Sequence, residues 1–219
     1  MKLFFSLFAL FAIALAVYPF VFRDEHGAEK VEGLPWQISR RDDGAIEVFG
    51  LIPGESTLAD AIATLGDDAE LAIITARDET GELEMYYGHY RAGLISGKMI
   101  LQADASDSQL AQWKREAVKV AYMPSGTARK YLLDSDSLPQ ILQTAITGIT
   151  FIPAINLDEA IILARFGQPE RVLRVNAHLV HYLYRTMGLD IALSDGQKDV
   201  LQYVRPDDFD RLEQPLLSK

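Results

Sequence analysis

Apolar residues recur along the chain with two different periods, one typical of helices and one typical of strands. Two helical stretches share the same plan: a polar start, one apolar face and a glycine stop. The first apolar face consists of Leu58, Ala61, Ile62 and Leu65 before Gly66, and the second of Leu157, Ala160, Ile161 and Ala164 before Gly167. Ser56 or Thr57 is expected to cap the first helix, and Asn156, with Glu159 three residues later, the second.

Extended segments rich in aromatic residues follow each predicted helix. They run over 71–74, 83–90 and 93–102 in the first copy, and over 171–175, 179–184, 189–193 and 200–204 in the second. Two shorter segments, 36–39 and 45–49, precede the first helix, and Asp43-Gly44 between them suits a tight hairpin turn. Ser96-Gly97 is expected to bend or turn the third segment of the first copy.

The repeated order of parts predicts an α+β fold, in which an N-terminal transmembrane helix precedes two tandem helix-then-antiparallel-sheet units. The predicted organisation is 1–22 as a transmembrane signal anchor or signal peptide, 23–34 as a tether, 35–103 as the first repeat with its leading hairpin, 104–147 as a helical connector, 148–206 as the second repeat and 207–219 as a tail. In the connector, the predicted helical stripe is Leu110, Trp113, Ala117 and Val120.

Residues 3–22 carry no charge and are dense in Phe, Leu, Ala, Ile and Val. A run of this length crosses a hydrocarbon core of about 30 Å as a helix. Two interpretations stay open: an uncleaved anchor, or a secretory signal peptide with Ala14-Leu15-Ala16 at its cleavage site. The apolar run continues beyond Ala16 to Phe22, which favours the anchor. With Lys2 on the cytoplasmic side, the prediction is a single-pass protein of the bacterial inner membrane with its C-terminal domain in the periplasm.

Charge narrows the choice of partner. The 219 residues hold 21 Lys and Arg against 31 Asp and Glu, a net charge of −10 at pH 7. An acidic surface repels nucleic acid phosphates, so no nucleic acid partner is expected. The chain has no cysteine. That excludes disulfides, thiolate metal sites, cysteine nucleophiles and a lipoprotein anchor through an N-terminal cysteine.

The stretch from Gly50 to Thr57, continued to Leu65-Gly66, resembles the helix start of the BamE/SmpA-like family. Phe166-Gly167-Gln168-Pro169, followed by a strand ending in Leu183-Tyr184-Arg185, is similar to it as well. β-Lactamase inhibitory protein resembles the family with two such units in tandem. The chain departs from the family pattern in lacking the lipoprotein cysteine and in having Asp67-Asp68 after Gly66. The resemblance implies a protein-binding scaffold without catalysis.

No catalytic motif is found, and no cofactor or metal site is expected. His178 and His181 are three residues apart, but the predicted strand places them on opposite faces, which disfavours a shared metal. Ser96-Gly97-Lys98 lacks the first glycine and the final hydroxyl residue of a phosphate loop. No Gly-x-Ser-x-Gly elbow is present.

Alternation along the aromatic strands assigns their side chains to two faces. Tyr86, Gly88 and Tyr90, aligned with Val180, Tyr182 and Tyr184, are expected to pack under the helices. The opposite set is the candidate partner-binding face, formed by Tyr87, His89, Arg91, His181 and Arg185. These residue types suit protein interfaces. Ordinary half-buried sheet positions remain the alternative, and a one-residue bulge would exchange the two faces.

Three functions are compatible with these patterns. The first is a non-catalytic periplasmic module that binds or assembles another envelope protein and is tethered to the inner membrane through its N-terminal helix. The second is a cell-envelope enzyme or small-ligand-binding domain with a pocket between the repeats, near Trp113 and Tyr122. The third is a structural membrane protein that associates with itself.

Overall fold

One ten-stranded antiparallel sheet organises the part of the chain described by the computed structural model, residues 32–76, 79–123 and 127–217. A separate short hairpin precedes it, formed by β1 (Ser39–Arg40) and β2 (Ile46–Glu47). The sheet strands are β3 (Glu70–Ala76), β4 (Glu82–Ala92), β5 (Ile95–Ala103), β6 (Lys119–Tyr122), β7 (Ala128–Leu132), β8 (Ile146–Pro153), β9 (Arg171–Asn176), β10 (Leu179–Tyr184), β11 (Leu189–Ser194) and β12 (Val200–Val204). Their spatial order is β6-β7-β3-β4-β5-β8-β12-β11-β10-β9.

Five short α-helices accompany the sheet within the described ranges. They are α1 (Leu58–Leu65), α2 (Asp107–Glu116), α3 (Leu138–Ile141), α4 (Glu159–Phe166) and α5 (Asp210–Leu217). The first four contribute buried residues, among them Leu58, Trp113 and Ile162, to one large core that includes Met85 and Tyr203 of the sheet. We call the sheet face that carries this core the inner face. The opposite, outer face is covered in part by α5.

The predicted fold class is wrong, because the sheet is continuous instead of being divided between two units. The cause is β8. The sequence analysis divides residues 146–153 between the predicted connector and the start of the predicted second repeat, and so does not identify them as one strand. β8 pairs with β5 on one side, where Met99 lies opposite Phe151, and with β12 on the other, where Phe151 lies opposite Leu201. It therefore joins the strands of both halves into a single unit.

The predicted helical connector is also corrected. α2 exists, with Leu110 and Trp113 buried as expected, but the chain after it forms the antiparallel hairpin β6–β7. Val120, expected on the buried helical stripe, is exposed on β6. Strands of four and five residues are too short for their alternation to stand out from a helical pattern. This hairpin adds two strands to one end of the sheet.

Gly97 lies inside β5, so the bend predicted at Ser96-Gly97 is wrong. A Cβ at this position would lie 2.5 Å from the backbone oxygen of Ile152 and 2.7 Å from the Phe151 ring. Glycine is thus required by the close approach of β8, not by a turn. The turn itself falls between β4 and β5 at Gly93-Leu94.

The helix caps are predicted correctly for α1 only. Thr57 accepts a hydrogen bond from the Asp60 backbone N–H in a capping box. In α4 the cap is Asp158, not Asn156; its carboxylate accepts from the Ile161 N–H at 2.7 Å. Because α4 begins later than expected, its buried residues are Ile162 and Phe166 instead of Ala160, Ile161 and Ala164.

The same tyrosine contact closes the glycine stop of both helices. The Tyr87 hydroxyl donates to the Gly66 carbonyl at 3.0 Å, and the Tyr184 hydroxyl donates to the Gly167 carbonyl at 2.9 Å. Burial raises the pKa of each phenol to about 12. Tyr87 and Tyr184 are therefore structurally equivalent. The alignment of the two predicted repeats pairs Tyr184 with Tyr90 instead, which is three residues after Tyr87.

The first described residues are fixed to the inner face. The Tyr203 hydroxyl donates to the Pro35 carbonyl at 2.9 Å, and the Trp36 ring meets Phe166 edge-on. Within the described ranges, no helix has the length and apolar character needed to cross a membrane. The predicted anchor, residues 3–22, lies outside those ranges.

Candidate functional site: an open sheet edge and a polar cleft

The predicted partner-binding residues do not share one surface. His89, Arg91 and Arg185 are exposed, whereas Tyr87 and His181 are buried. The cause for Tyr87 is a β-bulge, which shifts the register of β4 against β5 between Tyr87 and Tyr90 and puts both rings on the inner face. A bulge exchanges the faces on either side of it. The expected outward orientation of Tyr87 is therefore wrong, and the expected exposure of His181 is wrong as well, although His181 does lie on the face opposite the core.

His181 lies on the outer face in a buried pair with Asp190. Its Nδ1 is 2.8 Å and 3.0 Å from the two Asp190 carboxylate oxygens. The two residues are only 6% and 1% exposed. Burial raises the pKa of the Asp190 carboxyl, and the hydrogen bond from His181 opposes that rise. The interaction thus satisfies two polar groups that the sheet has removed from water.

A buried His–Asp pair is also how many hydrolases orient a catalytic histidine. Here the comparison fails at the next step, because His181 makes no hydrogen bond to a hydroxyl within the described residues. Among those same residues, no group of three or more potential ligands could hold a metal ion. We therefore assign the pair a structural role in the sheet.

Arg185 is exposed but already engaged. Its guanidinium contacts Asp210 at 2.7 Å and Glu213 of α5, and it lies over the Phe209 ring, 5.1 Å from the ring centre. Arg171 adds a second contact to Glu213 at 2.9 Å. These hydrogen bonds, led by that from Arg185, lower the pKa of Glu213. Arg185 therefore holds the C-terminal helix in place and is not free for a partner.

The β6 edge of the sheet carries three large exposed side chains. Val118 is 67% exposed, Val120 48% and Tyr122 71%. Lys119 is the only charged residue of the strand, and one contact to the Tyr122 ring comes from Arg129 of β7, 5.7 Å from the ring centre. A strand at the end of a sheet with few charges and exposed apolar residues is a template for pairing with another chain.

The backbone of β6 presents unused hydrogen-bonding groups on the same side. Met123 N–H donates to the Ala128 carbonyl at 2.8 Å, in step with the register of β6 against β7. Because residues of an antiparallel pair alternate between bonded and non-bonded positions, Lys119 and Ala121 direct their groups toward β7. Val120 and Tyr122 consequently direct their N–H and C=O groups away from the sheet.

A separate cleft lies on the inner face beside the start of α4. It has a volume of about 730 Å³, with Val180 and Leu193 among its apolar lining residues. Tyr182, Glu159 and Arg174 line it together; burial and then Glu159 raise the pKa of the Tyr182 phenol, and Arg174 opposes the rise. His178 lines the cleft as well, 3.5 Å from Asp195. The cleft thus offers basic groups, carboxylates and an apolar surface to a small molecule.

Trp113 and Tyr122, near which a pocket between the repeats was expected, lie in different surroundings. Trp113 is buried in the core, whereas Tyr122 projects from the sheet edge. Sequence reasoning missed the β6 edge because it assigned Val120 to a helix. It missed the cleft because the residues that line it come from three distant turns.

Known proteins do not extend this picture. Comparison of the chain with protein-family models, curated proteins and solved structures finds no match. The likeness to the BamE-like family therefore stays a prediction. The candidate functional features rest on the geometry of β6 and of the cleft.

Proposed function

We propose that the protein is a non-catalytic protein-binding module that recruits a partner by strand addition at β6. The observation that carries the proposal is the exposed edge itself, with outward N–H and C=O groups on Val120 and Tyr122 and three exposed apolar side chains. Backbone pairing supplies affinity in this mode, and alternate side chains supply specificity. The partner then presents an extended segment with few charges.

The cellular setting of the proposal follows from the chain start. The charge-free run 3–22 supports an inner-membrane anchor with the sheet in the periplasm. A tether of this kind raises the local concentration of the module near other envelope proteins. Fractionation of cells that express the full-length chain, with protease added to spheroplasts, tests this part: a fully protected C-terminal domain would contradict it.

Site-specific crosslinking tests the binding edge. A benzophenone amino acid in place of Tyr122 is expected to capture a partner in cells, and the same group in place of Val172 is the control. Val172 lies on β9, the other edge strand, and is 52% exposed. Capture at position 122 but not at 172, reduced by Val120→Pro, supports the proposal. The absence of an adduct at position 122, or the same adducts from positions 122 and 172, would contradict the proposal.

A second candidate function is binding of a small molecule in the cleft beside α4. It is favoured by the lining of the cleft, where Tyr182, Glu159 and Arg174 lie beside an apolar surface. Ligand-observed NMR with a library of small zwitterions tests it, using Arg174→Gln as the variant and Arg129→Gln as the distant control. Hits that survive Arg174→Gln unchanged would argue against the cleft.

A further inference from the structure

We infer that the strand that adds to β6 is β6 of a second copy of this chain, paired antiparallel about a two-fold axis at Val120. The inference rests on the proposed function, because it names the partner of the same edge. It is carried by the fit of β6 to itself, in its backbone pattern and in its side chains.

The backbone pattern of β6 suits a two-fold axis at Val120. In an antiparallel ladder, two residues that exchange both hydrogen bonds must each direct N–H and C=O toward the other strand. Val120 does so, and an axis at this residue pairs it with Val120 of the second copy. Tyr122 is then opposite Val118 of the second copy, whose N–H donates to the Leu132 carbonyl of its own chain at 3.0 Å. The two strands would therefore share the two backbone hydrogen bonds of the Val120 pair.

The side chains also match under this symmetry. Tyr122 against Val118 is an aromatic and β-branched pair, and Val120 against itself is a β-branched pair; both combinations stabilise antiparallel strands. Lys119 falls opposite Ala121 of the second copy, so no two like charges are directly opposed. A symmetric pair of this kind closes on itself as a dimer and leaves no further β6 edge exposed.

Symmetric pairing also explains why β6 rather than β9 is the partner strand. β9 carries Arg171 and Arg174, so an edge-to-edge pair of β9 strands would bring two arginines from each copy close together. Arg171 is in addition bound to Glu213 of α5. A mixed β6-to-β9 contact would not close and would produce longer oligomers. The β6 pair is the arrangement without these penalties.

The absence of native cysteine allows a test of the register on the purified full-length chain. Val120→Cys places a single thiol at the axis, where paired residues have Cα atoms about 5.5 Å apart, within the range that a disulfide spans. Tyr122→Cys is the matched control, since the two copies of residue 122 would be offset by about 14 Å along the strands. Under mild oxidation we expect at least tenfold more linked dimer from Val120→Cys, and dimer also from Val118→Cys combined with Tyr122→Cys.

Sedimentation of the same preparations provides the second measurement. The unmodified chain is expected to sediment as a dimer, and Val120→Pro to weaken the dimer at least tenfold while Val172→Lys does not. Equal linkage at positions 120 and 122, no linkage at 120, or a monomer at every concentration would overturn the inference. A monomer whose position 122 still captures a different protein in cells would overturn self-pairing alone, whereas no capture of any chain would remove the proposed function as well.

Discussion

The two ends of the sheet are built alike inside and differently at the edge. Each end has a short helix that stops at a glycine, and the carbonyl of that glycine accepts a hydrogen bond from a buried tyrosine. At the β9 edge, Arg171 and Arg174 supply charge and α5 packs beside the strand. At the β6 edge, Lys119 is the one charged residue of the strand, beside the exposed Val118, Val120 and Tyr122. Because β9 carries more charge and is flanked by α5, whereas β6 is exposed, the β6 edge is the more suitable place for another chain to pair with the sheet.

The largest expected effect comes from weakening the contact between the C-terminal segment and the outer face of the sheet, near the β9 edge. Phe209 is buried against Leu183 and Val204, so Phe209→Ala should lower the free energy of unfolding by about 3 to 4 kcal/mol. Urea denaturation followed by circular dichroism measures it. Leu217→Ala, at an exposed position of α5, the helix that begins directly after Phe209, is the control and should change the stability by less than about 0.5 kcal/mol. Similar losses for the two variants would mean that α5 is not the cover described here.

The next effect contrasts two ion pairs on the outer face. Asp190→Ala leaves His181 buried without its partner and should cost about 3 kcal/mol. Glu70, near the open end, pairs with Lys130 in solvent, so Glu70→Ala should cost less than about 1 kcal/mol. Thermal unfolding of the two variants side by side measures the difference. Equal losses would contradict the structural role assigned to the buried pair.

A matched pair of substitutions tests the likeness of the interiors. Tyr87→Phe and Tyr184→Phe each remove one hydrogen bond to a glycine carbonyl, and each should cost about 1 kcal/mol. Urea denaturation under identical conditions measures both. If only one of them destabilises the protein by this amount, the two glycine stops are not equivalent.

The smallest effect depends on pH. Glu213 has a pKa below its ordinary value because Arg185 and Arg171 bind the carboxylate. Its contribution to stability is present above the ordinary glutamate pKa of about 4.3 and is lost as the pH falls through the lowered value. Glu213→Gln should therefore cost less than about 1 kcal/mol at pH 7, and the difference from the unmodified protein should shrink toward pH 3. A difference that grows on acidification would contradict this assignment.

Sequence reasoning succeeded where a pattern was local and long. The four strands after α4 match the predicted ranges closely, and the capping box at Thr57 and Asp60 was readable from spacing alone. It failed at β8, because this central strand is largely buried on both faces and its apolar residues do not alternate regularly with its polar ones. The loss of that one strand turned a single sheet into two predicted units.

The candidate site was even less accessible to sequence reasoning. Alternation assigned Tyr87 outward, and a bulge between Tyr87 and Tyr90 reverses it; Gly88, a lone glycine inside the strand, is the one local sign of that bulge. His181 looked like an interface residue, but its partner Asp190 is supplied by the neighbouring strand β11. Exposure of Val118 and Tyr122 depends on β6 being the last strand, which is a property of the sheet and not of the segment.

The central position of β8 determines when the protein can fold during synthesis. β5 is synthesised about fifty residues before β8, its hydrogen-bonding partner, since Met99 pairs with Phe151. β8 is in turn synthesised about fifty residues before β12, since Phe151 pairs with Leu201. Non-local pairing of this kind slows folding. A nascent chain stopped before β8 would expose the unpaired backbone groups of β5, so early chaperone binding is a step on which the yield of folded protein depends.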